Sequence, residues 1–267
     1  MKKTIGGLAL AALVISAVGC NRSKTDDELI REAVTNSDYF STRSIEGTGT
    51  KAMDTLDYLT WWREATSHPD PYLEISRVGD SAYVVFSGKA LGNFHILLWG
   101  GGDSVKPFGD SATIEGIVKN LGTDEDPDWQ VTDVTGVHAI SYQNPPSFTI
   151  DSVRVIMGGT DTVFLDPMNM FAIEDVMTLN PGNGDTVKCW AWVSGAAVDG
   201  AMHLIGKDEH HRIDFQDSTT FFYTQFARSA ENPGVHFIGI DFFNKSTLDD
   251  TDYPYECRLW LLPYMVE

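Results

Sequence analysis

The chain has 267 residues, with 19 Lys or Arg against 38 Asp or Glu and a formal net charge of −19. Charge this negative excludes nucleic acid, whose phosphates require a basic face, and electrostatic docking on anionic lipid. At 42% hydrophobic and 11% aromatic residues the chain can bury sizeable cores, which excludes wholesale disorder. Its length suits two domains of ordinary size, or one large all-β domain. Met1-Lys2-Lys3 is a short basic segment, and the apolar run over 5–18 that follows is shorter than the roughly 20 residues a bilayer span needs. Residues 1–19 therefore read as a signal peptide. Without them, 17 basic and 38 acidic residues leave −21 over 248 residues.

Residues 20–25 form a short polar tether. A helix starts at Asp26-Asp27-Glu28, with acids at its N-terminus and Leu29, Ile30, Ala33 and Val34 as its apolar face. A second helix is expected over 55–65, where Leu56, Leu59, Trp62 and Ala65 share a side. Strands follow at 73–78 and 82–87 around the Gly79-Asp80 turn, then at 93–99, 112–121 and 129–140. The segment Gln143-Asn144-Pro145-Pro146-Ser147 reads as a linker between a domain at 26–142 and one at 148–267. The second half has eight short candidate strands at 148–157, 160–165, 186–193, 201–205, 212–215, 219–226, 235–243 and 257–265. Such spacing fits an antiparallel sandwich.

Cys189 shares a strand face with Val187 and Ala191, and Cys257 one with Leu259 and Leu261, so both thiols point toward a core. In an exported chain they are a candidate disulfide or two separately buried thiols. His203, Asp208, His210, His211 and His236 fall close together in sequence, and imidazoles with a carboxylate suit zinc, copper or nickel. No recognised ligand spacing is present, and solvated loop side chains are the competing reading. Otherwise no cofactor is implied. Asp124, Asp126 and Asp128 alternate as in a calcium loop. Trp129 stands where such a loop needs Gly, and Thr135 where it needs a bidentate Glu. Asp249, Asp250 and Asp252 make a second acidic loop.

Ala17-Val18-Gly19-Cys20 resembles the lipobox of bacterial lipoproteins, although Ala17 stands where Leu is commoner. The resemblance implies cleavage before Cys20, acylation of Cys20 and a membrane anchor, and Asn21 favours the outer membrane. Trp61-Trp62-Arg63, Val78-Gly79-Asp80-Ser81-Ala82 and Trp129, in an order of helix, short helix and strand meander, resemble the nuclear transport factor 2-like fold. Asp252-Tyr253-Pro254-Tyr255-Glu256-Cys257 is similar to the Tyr-x-Cys of an immunoglobulin strand. The fold class these resemblances imply is an α+β domain, a curved sheet with few helices, followed by an all-β immunoglobulin-like sandwich. In the first fold a cone holds a small molecule. Its acid, base or oxyanion donor would come from Tyr58, Arg63, His68, Asp70, Tyr83 and His95, while Trp61-Trp62-Arg63 closes the cone. The leading expectation is a non-enzymatic, lipid-anchored envelope protein that binds a protein or small-molecule ligand. For that role an aromatic patch from Trp190, Trp192, Trp260, Phe221, Phe222 and Tyr223 is expected. The alternatives are an isomerase, dehydratase or hydrolase using the cone, and metal capture by the His cluster.

Overall fold

The computed structural model describes residues 24–40, 58–69, 71–98, 102–180, 186–206, 210–227 and 232–267, with the backbone alone for Tyr58 and Leu59. The signal segment, Cys20, Asp70 and Asp208 lie outside the described residues.

Helix α1 (Asp26–Asn36) begins where its sequence dictates. Thr25 Oγ1 accepts from Glu28 N at 3.3 Å, and the Glu28 carboxylate accepts from Thr25 N at 2.7 Å, a reciprocal capping box. Ile30 and Val34, one turn apart, are its buried stripe. A 3₁₀ turn, Asp38–Phe40, follows.

The rest is almost all strand. The first half contains β1 (Tyr58–Ser67), β2 (Tyr72–Val78), β3 (Ser81–Leu98), β4 (Asp103–Asn120), β5 (Trp129–Val134) and β6 (Val137–Ser141). Next come β7 (Phe148–Met157), β8 (Thr160–Phe164), β9 (Phe171–Ala172), β10 (Met177–Leu179), β11 (Thr186–Gly195) and β12 (Val198–Ile205). The chain ends through β13 (His210–Asp214), β14 (Gln216–Asp217), β15 (Phe222–Ala227), β16 (Gly234–Asn244), the short helix α2 (Lys245–Asp249) and β17 (Cys257–Val266). Among the described residues no helix is long and apolar enough to cross a membrane.

The strands make two sheets. The larger runs β1-β3-β4-β6-β17-β16-β12-β13, with β2, β5, β9 and β10 attached to it, and the smaller runs β14-β15-β11-β7-β8. The C-terminal strand β17 pairs with β6, Leu259 opposite Ala139, so the larger sheet continues from the first half of the chain into the second. It also curls until its end strands meet. Arg212 of β13 donates to Thr60 Oγ1 at 3.0 Å and to Trp61 O at 3.2 Å of β1, and its guanidinium lies 3.8 Å from the Trp61 ring centroid. Eight strands thus form a barrel-like curl whose seam is bridged by side chains rather than by a ladder.

Strands β12, β16 and β17 are a wall shared by two cores. One face, with Met202, Leu204, Ile238, Ile240, Phe242 and Leu262, packs on Val153, Val155, Val187, Cys189 and Ala191 of the smaller sheet. The other face looks into the curl. Because both faces are covered, β16 is buried at every position from Val235 to Asn244 and reads as a mostly apolar run interrupted by His236 and Asp241. Each such large side chain contributes about 1.5–3 kcal/mol by leaving water. Helix α1 plugs one end of the curl, where Ile30 and Val34 join Trp129, Val118, Val134 and Phe237. At Gly116 a Cβ would stand 2.7 Å from the Phe40 ring, so the missing side chain is what lets the 3₁₀ turn dock on β4.

The expected fold class, a nuclear transport factor 2-like α+β domain followed by an immunoglobulin-like sandwich, is corrected by this architecture. The chain is mostly strand with few helices, and its first half is a curled antiparallel sheet. Of the helix expected over 55–65, residues 58–65 lie in β1, where Trp61, Arg63 and Ala65 alternate inward. Leu59, Trp62 and Ala65 also satisfy a period of 3.6, and the ladder to β3 settles the competition. The segments expected at 82–87 and 93–99 are one 18-residue strand, since Gly88 and Gly92 continue the ladder rather than breaking it. The strand expected at 129–140 is instead split after Val134. Gly136, where a Cβ would meet Leu261 O at 2.6 Å, lets the chain pass close beneath β17.

Candidate functional site

The curl is hollow because its inward positions are small. In register across the sheet, Gly88 of β3 faces Ala112 of β4, Ala112 faces Ala139 of β6, and Ala139 faces Leu259 of β17. In the next inward row Ala90 faces Asp110, which faces Ser141. Ala65 of β1 completes the set. Larger side chains stand in the inward rows on either side, Phe86 opposite Ile114 and Phe108 opposite Gly92. A cavity of about 430 Å³ results, within the range of small-molecule sites, with Tyr39 and Phe40 also in its wall and His68, Pro69, Pro71 and Lys89 among its lining residues. A Cβ on Gly88 would meet nothing nearer than Pro71 Cβ at 3.9 Å, so this glycine leaves room that a side chain could occupy.

Behind the apolar walls lies a buried charge network. Arg63 forms a bidentate pair with Asp241, Nη1 to Oδ2 at 2.7 Å and Nη2 to Oδ1 at 3.0 Å. Its Nε donates to Tyr255 Oη at 2.7 Å, and the Tyr255 hydroxyl donates to Asp110 Oδ2 at 2.9 Å. Nη2 also lies 2.8 Å from Cys257 Sγ, which in turn donates to Asp241 Oδ1 at 3.3 Å. The side chains of Arg63 and Asp241 are 5% and 0% exposed, and that of Asp110 13%. The guanidinium sits 4.9 Å from the Phe243 ring centroid.

One cation shared by two carboxylates stabilises them unequally. Burial pushes the Asp241 pKa up, but the bidentate Arg63 and the His203 imidazole 3.4 Å away overcome it, so this carboxyl stays ionised well below the usual range. Asp110 has the poorer share, with Arg63 Nε at 3.2 Å. Burial raises its pKa to about 6, and Arg63 and Tyr255 offset only part of that rise. Asp110 Oδ1 and Tyr39 Oη, both on residues lining the cavity, are buried and have no hydrogen-bond partner among the described residues. A buried acceptor without a donor costs about 1–3 kcal/mol, so each is a position where a ligand atom would be stabilised.

Of the residues singled out by sequence, Arg63 and His68 line the cavity. His95 does not. It points outward from β3, stacks on Trp62 at 4.7 Å and lies between Asp103 Oδ2 at 2.8 Å and Glu64 Oε2 at 3.1 Å. Partial burial lowers its pKa, but these two carboxylates outweigh that and raise it. Tyr83 is also on the outer face, bonded to Glu115. The Tyr58 side chain and Asp70 lie outside the described residues.

The histidines are brought together only in part. His203 Nδ1 and His210 Nε2 are 2.8 Å apart, and His203 Nε2 is 3.4 Å from Asp241. His211 packs on Phe226, and His236 bonds Asn232 O at 2.7 Å beside Tyr264. Among the described residues no group of three or more His, Cys, Asp or Glu is arranged to hold a metal ion, and the acidic loops at Asp124–Asp128 and Asp249–Asp252 are included in that statement. Cys189 and Cys257 are free, buried thiols in different clusters, the first in the sandwich core and the second beside Arg63. Of the six expected patch aromatics, Trp260 is buried and Phe222 packs toward the sandwich core. Trp190 with Tyr223 (5.0 Å) and Trp192 with Phe221 (6.1 Å) form two half-buried pairs.

Asp110 and Asp241 were open to discovery in the sequence. Each is an acid whose nearest inward neighbours along its strand carry no polar side chain, Phe108, Ala112 and Ile114 in one case and Phe237, Gly239 and Phe243 in the other. The fourth strand, expected to begin at Ala112, left Asp110 in a loop. No known protein family matches the chain, and no curated protein and no solved structure matches it at a significant level.

Proposed function

We propose that the protein is anchored to the cell envelope through acylated Cys20 and binds a small, largely apolar molecule in the cavity of its curled sheet. The observation that carries the binding reading is the hollow itself. Gly88, Ala90, Ala112 and Ala139 keep space open where ordinary strand residues would fill it, and buried polar atoms of Tyr39 and Asp110 lack partners among the described residues. Protein interiors are close-packed, and a void of this size without a ligand forfeits both burial and dispersion. The anchor rests on the lipobox resemblance alone: several acyl chains hold a protein stably, at about 0.8 kcal/mol per buried CH₂.

A fluorescent neutral probe, 2-(1-naphthyl)ethanol, tests the cavity. It should bind with one-to-one stoichiometry, and Ala112→Phe and Gly88→Val, which extend side chains into the space, should abolish binding without lowering the unfolding temperature. Unaltered binding in both variants would place the probe elsewhere and defeat the reading. A second reading, proton-transfer catalysis in the same cavity, is favoured by the Asp110 pKa of about 6, close to neutrality, which suits a general base. Asp110→Asn separates the two, since a base variant loses turnover but keeps the ligand.

A further inference from the structure

Resting on the cavity reading, we infer that the ligand enters head first and carries a protonated amine on its apolar body, the ammonium meeting Asp110 Oδ1. The argument is one of unmet demand and charge balance. Every nitrogen of the Arg63 guanidinium is already committed: Nη1 and Nη2 to Asp241, Nε to Tyr255. Among the described residues the guanidinium has one Nη1 N–H beyond these bonds, so a ligand carboxylate or phosphate would find no bidentate donor pair at that end of the cavity. Asp241 neutralises Arg63 in a bidentate pair, so the ionised Asp110 is the surplus charge of the cluster. An anionic head would meet it unscreened in low dielectric, whereas a cation would complete the network.

The other groups around Asp110 do not change that balance. Tyr255 donates to Oδ2 from the segment before β17, and the Cys257 thiol is held neutral chiefly by burial. His203 on β12 is also held neutral chiefly by burial, and it faces Asp241 rather than Asp110. Lys89, also among the lining residues, is exposed and has its ammonium 4.9 Å from the Tyr142 ring centroid. Across the strands Asp110 pairs with Ala90, which presents a methyl group, and with Ser141, whose hydroxyl donates to Asn144 O at 2.6 Å; its inward neighbours along β4, Phe108 and Ala112, are apolar. Among the described residues the head group would therefore meet one unpartnered carboxylate oxygen with mostly apolar neighbours, where a charge-assisted bond is strongest.

A matched series on the full-length protein held in amphipol tests this. The ligands are 2-(1-naphthyl)ethylamine, 2-(1-naphthyl)ethanol and 1-naphthaleneacetate, followed by calorimetry at pH 7.5. The amine should bind about tenfold tighter than the alcohol, as a charge-assisted hydrogen bond would give, and the acetate should bind least. Asp110→Asn leaves Lys89 and His68 in place, so it isolates the carboxylate. It should reduce the amine to the alcohol's affinity while sparing the alcohol. In the wild type at pH 5, amine binding should release close to one proton, seen as a dependence of the heat on buffer ionisation, because Asp110 must ionise to receive the cation. Acetate binding as tightly as the amine, or amine binding with no proton release, overturns the inference while alcohol binding keeps the cavity reading intact. If none of the three binds, the cavity reading fails and takes the inference with it.

Discussion

Replacing Asp110 by Asn should stabilise the protein at neutral pH, although it deletes a charged neighbour of the buried Arg63. In the folded chain the carboxyl has a pKa of about 6 against an ordinary 3.8. Between these values the native state holds more protons than the unfolded state, so stability falls as pH rises through the window. At about 1.36 kcal/mol per pH unit the loss is about 3 kcal/mol, present in full above pH 6 and absent below pH 4. The other titrating groups, Asp241 among them, are common to both proteins and largely cancel in the difference. Urea unfolding of wild type and Asp110→Asn at pH 4, 5, 6 and 7.5 should therefore give a difference that grows across the window by about 3 kcal/mol in favour of the variant, then levels. Asn retains the shape and can still accept from Tyr255, so little else changes. A variant less stable than wild type at pH 7.5, or a difference independent of pH, would show that Asp110 is a structural partner of Arg63. The case for a carboxylate kept at a cost for binding would then collapse.

Breaking the bidentate pair has the opposite sign. Arg63→Met leaves Asp241 buried without its cation and should cost about 3–5 kcal/mol, while adding Asp241→Leu should restore most of it; a double-mutant cycle by chemical unfolding measures the coupling. Lys106 is the second buried cation, its Nζ held by the carbonyls of Thr247, at 2.6 Å, of Tyr253, at 2.9 Å, and of Asp250. Lys106→Met removes the donor from three carbonyls of the loop between β16 and β17. It should lower stability by about 2 kcal/mol and raise hydrogen exchange in residues 245–256, and unchanged exchange there would refute the clamp.

What the sequence determined by itself was local. Thr25 and Glu28 specify the start of α1 through their own side chains. Gly79-Asp80 specifies a two-residue turn, and alternation put Cys189 and Cys257 on buried faces. These features rest on neighbours a few residues apart and need no tertiary information. The sequence did not determine that 58–65 is strand, since Leu59, Trp62 and Ala65 fit a helical stripe and only the ladder to β3 excludes it. It did not place His95, because alternation names two faces without saying which is inside. Above all, Arg63 and Asp241 meet across 178 residues, and Ala139 meets Leu259 only because the last strand closes against β6. The cavity is made by small residues on strands distant in the chain, and no stretch of sequence reveals that they share a row. Tertiary pairing decided the cavity, its buried network and the raised Asp110 pKa, because burial and charge balance are properties of what surrounds a side chain rather than of its place in the chain.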